Sequence, residues 1–213
     1  MLEIHLFVNP LGMQCYHCEQ DVLRIDRDLQ ATKLNYQFVP LITMQTIEDT
    51  LTRYQLDCRQ RQRVSHLLYQ VSLDYKAALF QGGKRGRRYL LYLQGELIKH
   101  QRPYSLALIK EVAAKAGLDL EMFLADRESP LAKQAFSADQ KMANELGVTQ
   151  TASAVVFDTS GPDYGILIPD FDYASLCEFL DNGTLKAIDS PQDLAATFGN
   201  NRRRFKIITA SND

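Results

Sequence analysis

The chain has 213 residues, 46% of them hydrophobic and 23% charged, with a formal net charge of −2 at pH 7. A chain of this length buries a substantial core as one large domain or two small ones. The balanced charge excludes a disordered polyelectrolyte and gives no electrostatic case for nucleic acid as a partner. No apolar run approaches the roughly 20 residues of a membrane helix. The opening stretch Leu2–Val8 is interrupted by Glu3 and His5 and is too short for a signal peptide, so a cytoplasmic protein with no membrane partner is expected. Four cysteines are too few for a disulfide scaffold, and 11 glycines and 7 prolines with no fixed period exclude collagen and repeat architectures.

Leu2–Val8 reads as a strand, apolar at Leu2, Ile4, Leu6 and Val8, with Phe7 on the other face. Asn9-Pro10-Leu11-Gly12 is a turn. A helix follows over about Met13–Leu29, with Cys15, Cys18, Val22, Ile25 and Leu29 at 3-4-3-4 spacing on one stripe. Leu34–Ile42 is a second strand, which completes a βαβ unit.

From Thr43 to about Gly147 the pattern is helical. Ile47, Leu51 and Tyr54 mark one helix. Val64 to Leu79 marks a longer one, stopped by Gly82-Gly83, and Leu90 to Ile98 a third that ends before Pro103. Ser105 caps a fourth that closes at Gly117, and Asp119 caps a short fifth. Ser129-Pro130 starts a sixth with Leu131, Ala135, Met142 and Leu146 as its buried face. Ser153–Phe157 and Tyr164–Ile168 then read as a hairpin around Ser160–Asp163, followed by a helix over Tyr173–Leu180. Ser190-Pro191 starts a short helix, and Arg202–Arg204 precede a last apolar run, Phe205–Ile208.

Neither strand-bearing end is large enough to fold alone. Residues 1–43 and 148–183 therefore make one α/β domain, with 44–147 as a helical insertion and 184–213 as a C-terminal extension.

Cys15-Tyr16-His17-Cys18 is a C-x-x-C at the start of the first helix of a βαβ unit, the pattern of thioredoxin-like redox sites. Free N–H groups at a helix start favour a thiolate, and a second cysteine one turn on can resolve a mixed disulfide. A protonated His17 would stabilise the thiolate further. Both cysteines also lie on the apolar stripe, where cysteine packs as a small hydrophobe. Zinc has less support, because Cys58 and Cys177 are isolated and no paired histidines stand ready.

The element order, together with Leu6–Glu19, Lys84–Leu97, Ala116–Asp119 and Asn144–Phe157, resembles the DsbA family of thioredoxin-fold proteins. The start, Leu2-Glu3-Ile4 and Phe7-Val8-Asn9-Pro10-Leu11, is similar to the cytosolic YjbH/SpxH branch of that family, stress-response adaptors that deliver the regulator Spx to the ClpXP protease. The resemblance implies a thioredoxin-like fold with a helical insertion, no cofactor, and protein partners: an Spx-like client and the protease itself.

Two departures concern the chemistry. The branch motif Asp-Pro-x-Cys-x-x-Cys-Tyr/Trp, laid on Asn9-Pro10, puts Gly12 where the nucleophilic cysteine belongs, makes Cys15 the second cysteine and sets Tyr16 after it. The rival register pairs Cys15 with Cys18. The family also places a cis-proline before its third strand, beside a substrate groove. Here Thr151 precedes Ala152 at that point. A cis bond before a non-proline residue costs about 2.5–4 kcal/mol, so a trans peptide and a reshaped groove are expected.

The resemblance thus implies a protein-binding adaptor whose contact residues include Gly12, Tyr16, Thr151 and Ala152. The alternative is a thiol–disulfide oxidoreductase or isomerase in which Cys15 attacks, Cys18 resolves and His17 assists. A glutathione-dependent relative ranks behind both, since Gly12 offers no oxygen or sulfur to a bound thiolate. Lys84, Arg85, Arg87 and Arg88 cluster at a helix start and read as a solvated face or a contact for an acidic protein.

Overall fold

The computed structural model describes residues 1–28, 34–159, 164–175, 177 and 206–209. Outside these residues lie the expectations for Leu29 at the end of the first helix, the turn at 160–163, the end of the helix over 173–180, the helix start at 190–191, the Arg202–Arg204 run and Phe205. Contacts divide the chain into two compact units. Met1–Val8, His17–Val39 and Ala143–Asp213 form the first, and Asn9–Tyr16 with Pro40–Met142 the second.

The first unit is built on a mixed α/β sheet. Its strands are β1 (Leu2–Val8), β2 (Leu34–Pro40), β3 (Ser153–Asp158), β4 (Tyr164–Pro169) and β5 (Lys206–Thr209), in the order β2-β1-β3-β4-β5. β1 runs antiparallel to β3, with Ile4 opposite Val156 and Leu6 opposite Ala154. β3 and β4 form the expected antiparallel pair, with Ala154 opposite Ile168. The last apolar run of the chain supplies β5, antiparallel to β4. The neighbours Leu6 and Phe7 are both wholly buried, so this part of the sheet is covered on both faces and its sequence is apolar without strict alternation. Helix α1 (Met13–Asp28) contributes Cys18, Val22 and Ile25 to the core of this unit.

The second unit holds α2 (Met44–Arg53), α3 (Arg61–Phe80), α4 (Gly83–Gln94), α5 (Leu106–Ala116), α6 (Leu120–Glu128) and most of α7 (Pro130–Glu145). The caps follow the sequence. Thr43 and Thr46 form a reciprocal capping box, while Ser105 and Asp119 accept the N–H groups of Leu108 and Met122. Gly117, at φ 78°, ends α5 in the left-handed conformation that glycine adopts freely. Leu68, Val71, Tyr89, Leu93, Val112 and Phe123 form the centre of the core. α3 and α4 approach closely at Gly86, where a Cβ would stand 2.9 Å from the Leu79 Cα. The third expected helix departs from regularity: α4 passes into a π-helical turn, Gly95–Lys99.

The buried face of α7 differs from the expected one. Leu131 is 60% exposed, and the buried line is Ala132, Asp139 and Ala143. Asp139 is drawn inward by an ion pair with the buried Lys76 of α3, a contact that an apolar pattern cannot register.

A second buried charge organises the helical unit. Asp74 of α3 is fully buried. Its Oδ1 accepts from Arg127 Nε at 2.8 Å, and its Oδ2 from the Tyr104 hydroxyl at 2.7 Å and the Tyr89 hydroxyl at 3.4 Å. Burial raises the Asp74 carboxyl above its ordinary value, and Arg127 only partly opposes this. The same burial, with the carboxylate alongside, pushes both tyrosine hydroxyls upward.

Asp74→Asn leaves the Arg127 guanidinium without its counter-charge. Breaking a fully buried pair costs about 3–5 kcal/mol, and the partial exposure of Arg127 brings the expected loss to about 2–3 kcal/mol. Urea unfolding of the two proteins measures it. On β1, His5 packs edge-on against Phe157 at 5.8 Å between ring centroids, and burial lowers its pKa below the ordinary 6.5 despite Glu3 at 3.3 Å. The neutral ring is therefore the folded form, and its stability contribution is present above pH 6.5 and lost as pH falls through the lowered value. Wild-type protein should lose stability relative to His5→Gln between pH 7 and pH 5, as read from paired urea midpoints.

Candidate functional site

The site grows out of the turn between β1 and α1. The Gly12 N–H donates to the Asn9 carbonyl at 2.9 Å, and the Gly12 carbonyl accepts the Tyr16 N–H at 3.0 Å, so α1 departs from Gly12. A Cβ at position 12 would lie 3.1 Å from the Asn9 Cβ and 3.2 Å from the Asn9 carbonyl oxygen. A larger residue there requires Asn9 to give way by a few tenths of an ångström.

Asn9 is the hub of this turn. Its side-chain oxygen accepts the Leu11 N–H at 2.9 Å, and its amide donates to the Thr46 carbonyl at 3.2 Å and the Thr50 hydroxyl at 3.0 Å. Its backbone N–H donates to Cys15 Sγ at 3.2 Å. Cys15 is 2% exposed. Tyr16 is also buried, with the Lys99 ammonium 4.7 Å from its ring centroid, and Tyr54 donates its hydroxyl to the Leu11 carbonyl at 3.2 Å. These contacts all lie within the helical unit.

His17, Cys18, Thr151 and Ala152 belong to the sheet unit. His17 is exposed, and its charge tends to lower the Asp21 carboxyl, which burial raises by more. Cys18 is 3% exposed, and its thiol donates to the Phe171 carbonyl at 2.9 Å. The Phe171 N–H in turn donates to the Ala152 carbonyl at 2.9 Å. Gln150 Nε2 reaches Asp170 Oδ1 at 3.1 Å beside this link. Cys18 and Ala152 are therefore brought together through Phe171.

One expectation is overturned. The Thr151–Ala152 peptide is cis, although no proline follows Thr151. Ala152 is wholly buried and fastened to Phe171, and these surroundings, rather than the intrinsic trans preference, set the geometry.

Sequence reasoning passed over Asn9 as a bonding centre, and over Lys99 and Phe171. An Asn before Pro at a strand end signals an Asx-type turn. Thr46 and Thr50, four apart beside Ile47 and Leu51, signal a polar contact on an apolar face. Nothing local marks Phe171. Among the described residues, no three His, Cys, Asp or Glu side chains are placed to hold a metal, and no helix is long and apolar enough to cross a membrane.

A family profile described as thioredoxin matches residues 5–179. The chain belongs to the thioredoxin family. Among its relatives is the ClpXP adapter protein SpxH of Bacillus subtilis, 29% identical over 187 residues, which cover 79% of this chain and 62% of that protein. The SpxH of Shouchella clausii is 29% identical over 187 residues, covering 78% and 61%. The chain thus spans less than two thirds of the length of these curated relatives. The fold is shared with a thioredoxin-like oxidoreductase from Silicibacter pomeroyi, at TM-score 0.55 and 18% identity over 84% of each chain. It is shared also with the thiol-disulfide exchange protein alpha-DsbA2 from Wolbachia pipientis, at TM-score 0.54 and 14% identity over 86% of this chain and 82% of that one.

Chemically, the arrangement withholds sulfur from solvent. Thiol–disulfide exchange needs a thiolate that a partner disulfide can reach in line, yet both helix cysteines are buried and the helix start is glycine. Cys58 is exposed and Cys177 half-buried. Under native conditions iodoacetamide should modify Cys58 first, then Cys177, with Cys15 and Cys18 slower by about 100-fold or more because they react only through local opening. Peptide mass spectrometry of timed samples checks the order.

Proposed function

We propose that this chain is a cytoplasmic protein-binding adaptor that promotes degradation of an Spx-like regulator by ClpXP, and that it keeps the thioredoxin fold without thiol turnover. The observation that carries the reading is the start of α1. Gly12 occupies the turn from which the helix departs, while the Cys15 and Cys18 sulfurs are bonded and buried one and two turns further in. The likeness to SpxH proteins supports the same reading. In it, Gly12 and Tyr16 of the helical unit shape one contact region for a protein client, Thr151 and Ala152 of the sheet unit shape another, and the protease is the second partner.

A second reading rests on one contact. The Asn9 N–H donated to Cys15 Sγ stabilises a thiolate, as the attacking sulfur of an oxidoreductase or isomerase would require, with Cys18 as resolver and His17 assisting.

A reconstituted assay separates the two. Purified ClpXP should degrade Spx several-fold faster when the chain is added, and Cys15→Ser, which keeps an acceptor for the Asn9 N–H, should preserve that acceleration within about twofold. Insulin reduction by the wild-type chain should stay at the uncatalysed rate. No acceleration of Spx loss, or insulin turnover that Cys15→Ser abolishes, overturns the adaptor reading.

A further inference from the structure

A second surface lies in the helical unit, apart from the cysteine site. Arg59, Arg63, His66 and Tyr69 follow one another at 4-3-3 spacing along the start of α3 and the single 3-10 turn before it. They line an open cavity of about 630 Å³. Tyr69 also lines a second cavity, of about 460 Å³, which continues along the same helix face to Leu73 and is bounded by Arg127 and Lys133. Tyr69 is held in place by an edge-on contact with Phe136 of α7, at 5.3 Å between ring centroids. The two cavities meet at Tyr69 and follow one another along α3, and together they are taken as the groove. From Arg59 to Leu73 this stretch is about 21 Å long at the helical rise of 1.5 Å per residue, a length spanned by about six residues of extended chain.

Cations predominate in the groove. The charge of Arg127 is engaged by the buried Asp74, and this pair fixes the guanidinium at the groove edge. Arg59, Arg63 and Lys133 have no ion-pair partner among the described residues, and all three are exposed. Glu128 is the one acid among the lining residues. It is 81% exposed and stands 3.9 Å from the Arg127 guanidinium. Arg59 and Arg63 at the start of α3 and Lys133 near the start of α7 are cations of one sign along the groove, and an anionic chain laid between them relieves their repulsion.

We propose that this groove binds an acidic segment of a partner protein in extended form. The cations meet carboxylates spaced along the segment, and Tyr69, where the two cavities meet, contacts an intervening apolar side chain. A nucleic acid fits less well. The net charge is −2, and the rings that line the groove are Tyr69, packed against Phe136, and His66, with no Phe or Trp beside them as a platform for successive bases. The proposal stands on the groove alone and holds whether or not the partner is a degradation client.

The test uses the full chain and a fluorescein-labelled nine-residue peptide of alternating glutamate and leucine, read by fluorescence anisotropy. Saturable binding is expected, weakening as salt rises. The double variant Arg59→Glu with Arg63→Glu should weaken it about tenfold and Lys133→Glu alone about threefold, as expected for contacts that steer and hold an anion. All three positions are exposed, and an unchanged thermal melt confirms that the variants fold. Lys84→Glu with Arg85→Glu, on the other basic cluster, should leave the affinity unchanged. Four results overturn the proposal: no binding of the peptide, equal binding of a peptide in which lysine replaces glutamate, equal weakening by the Lys84 and Arg85 reversals, or displacement of the peptide by a twelve-residue oligothymidylate at lower concentration than by unlabelled peptide.

Discussion

The helical unit is organised around a carboxylate removed from water. Asp74 sits where no charge is stable by itself, and three donors from separate parts of the chain converge on it: Tyr89 from α4, Tyr104 before α5, and Arg127 from α6. Such a cluster contributes little net stability compared with an apolar core of the same shape. Its effect is to define position. A leucine in place of Asp74 could pack against several helix arrangements, whereas a carboxylate is satisfied only when all three donors arrive. The apolar residues Leu68, Val71, Leu93 and Phe123 supply the driving force for burial, and Asp74 selects which burial is reached.

The same logic acts at the start of α1 on a smaller scale. Asn9 has four polar groups and uses all of them: its backbone carbonyl takes the Gly12 N–H. Its carbonyl and side-chain oxygens hold the turn to itself, its side-chain amide holds the turn to α2, and its backbone N–H meets a sulfur. A redox enzyme of this fold needs a helix start at which sulfur is presented outward. In this chain the helix start is presented without sulfur, and the sulfurs are turned into two separate hydrogen-bond systems, Cys15 with Asn9 and Cys18 with Phe171. The thioredoxin scaffold is kept, and its two helix sulfurs are buried in separate contacts.

How far the chain could be read in advance depended on the range of the forces involved. Ser105, Asp119 and Gly117 were legible because caps and left-handed ends are set by residues within one turn. The strands β1 and β3 were legible because their apolar composition is local, although their antiparallel register comes only from the pairing. The buried face of α7 was misread because Asp139, a charged residue, lies at its centre, held by Lys76 from a distant helix. The cis peptide at Thr151–Ala152 ran against the intrinsic preference of its own residues. Within the site, Gly12, Cys15 and Cys18 could be located by motif and element order. The roles of Asn9 and Phe171 could not, since their partners lie as far as 41 and 153 residues away.

Gln140 of α7 makes two bonds in the manner of a neighbouring strand. Its side-chain oxygen accepts the Ile42 N–H at 3.1 Å, and its amide donates to the Pro40 carbonyl at 2.7 Å. The place where the chain enters the helical segment is thereby clasped to the place where it leaves. A segment clasped at both ends is a closed loop, and the entropy of closing a loop grows only with the logarithm of its length, by about 0.6 kcal/mol per doubling. A change in the length of a loop inside the helical segment therefore adds little closure cost, whereas replacement of the whole segment would also remove Thr46 and Thr50, the partners of Asn9.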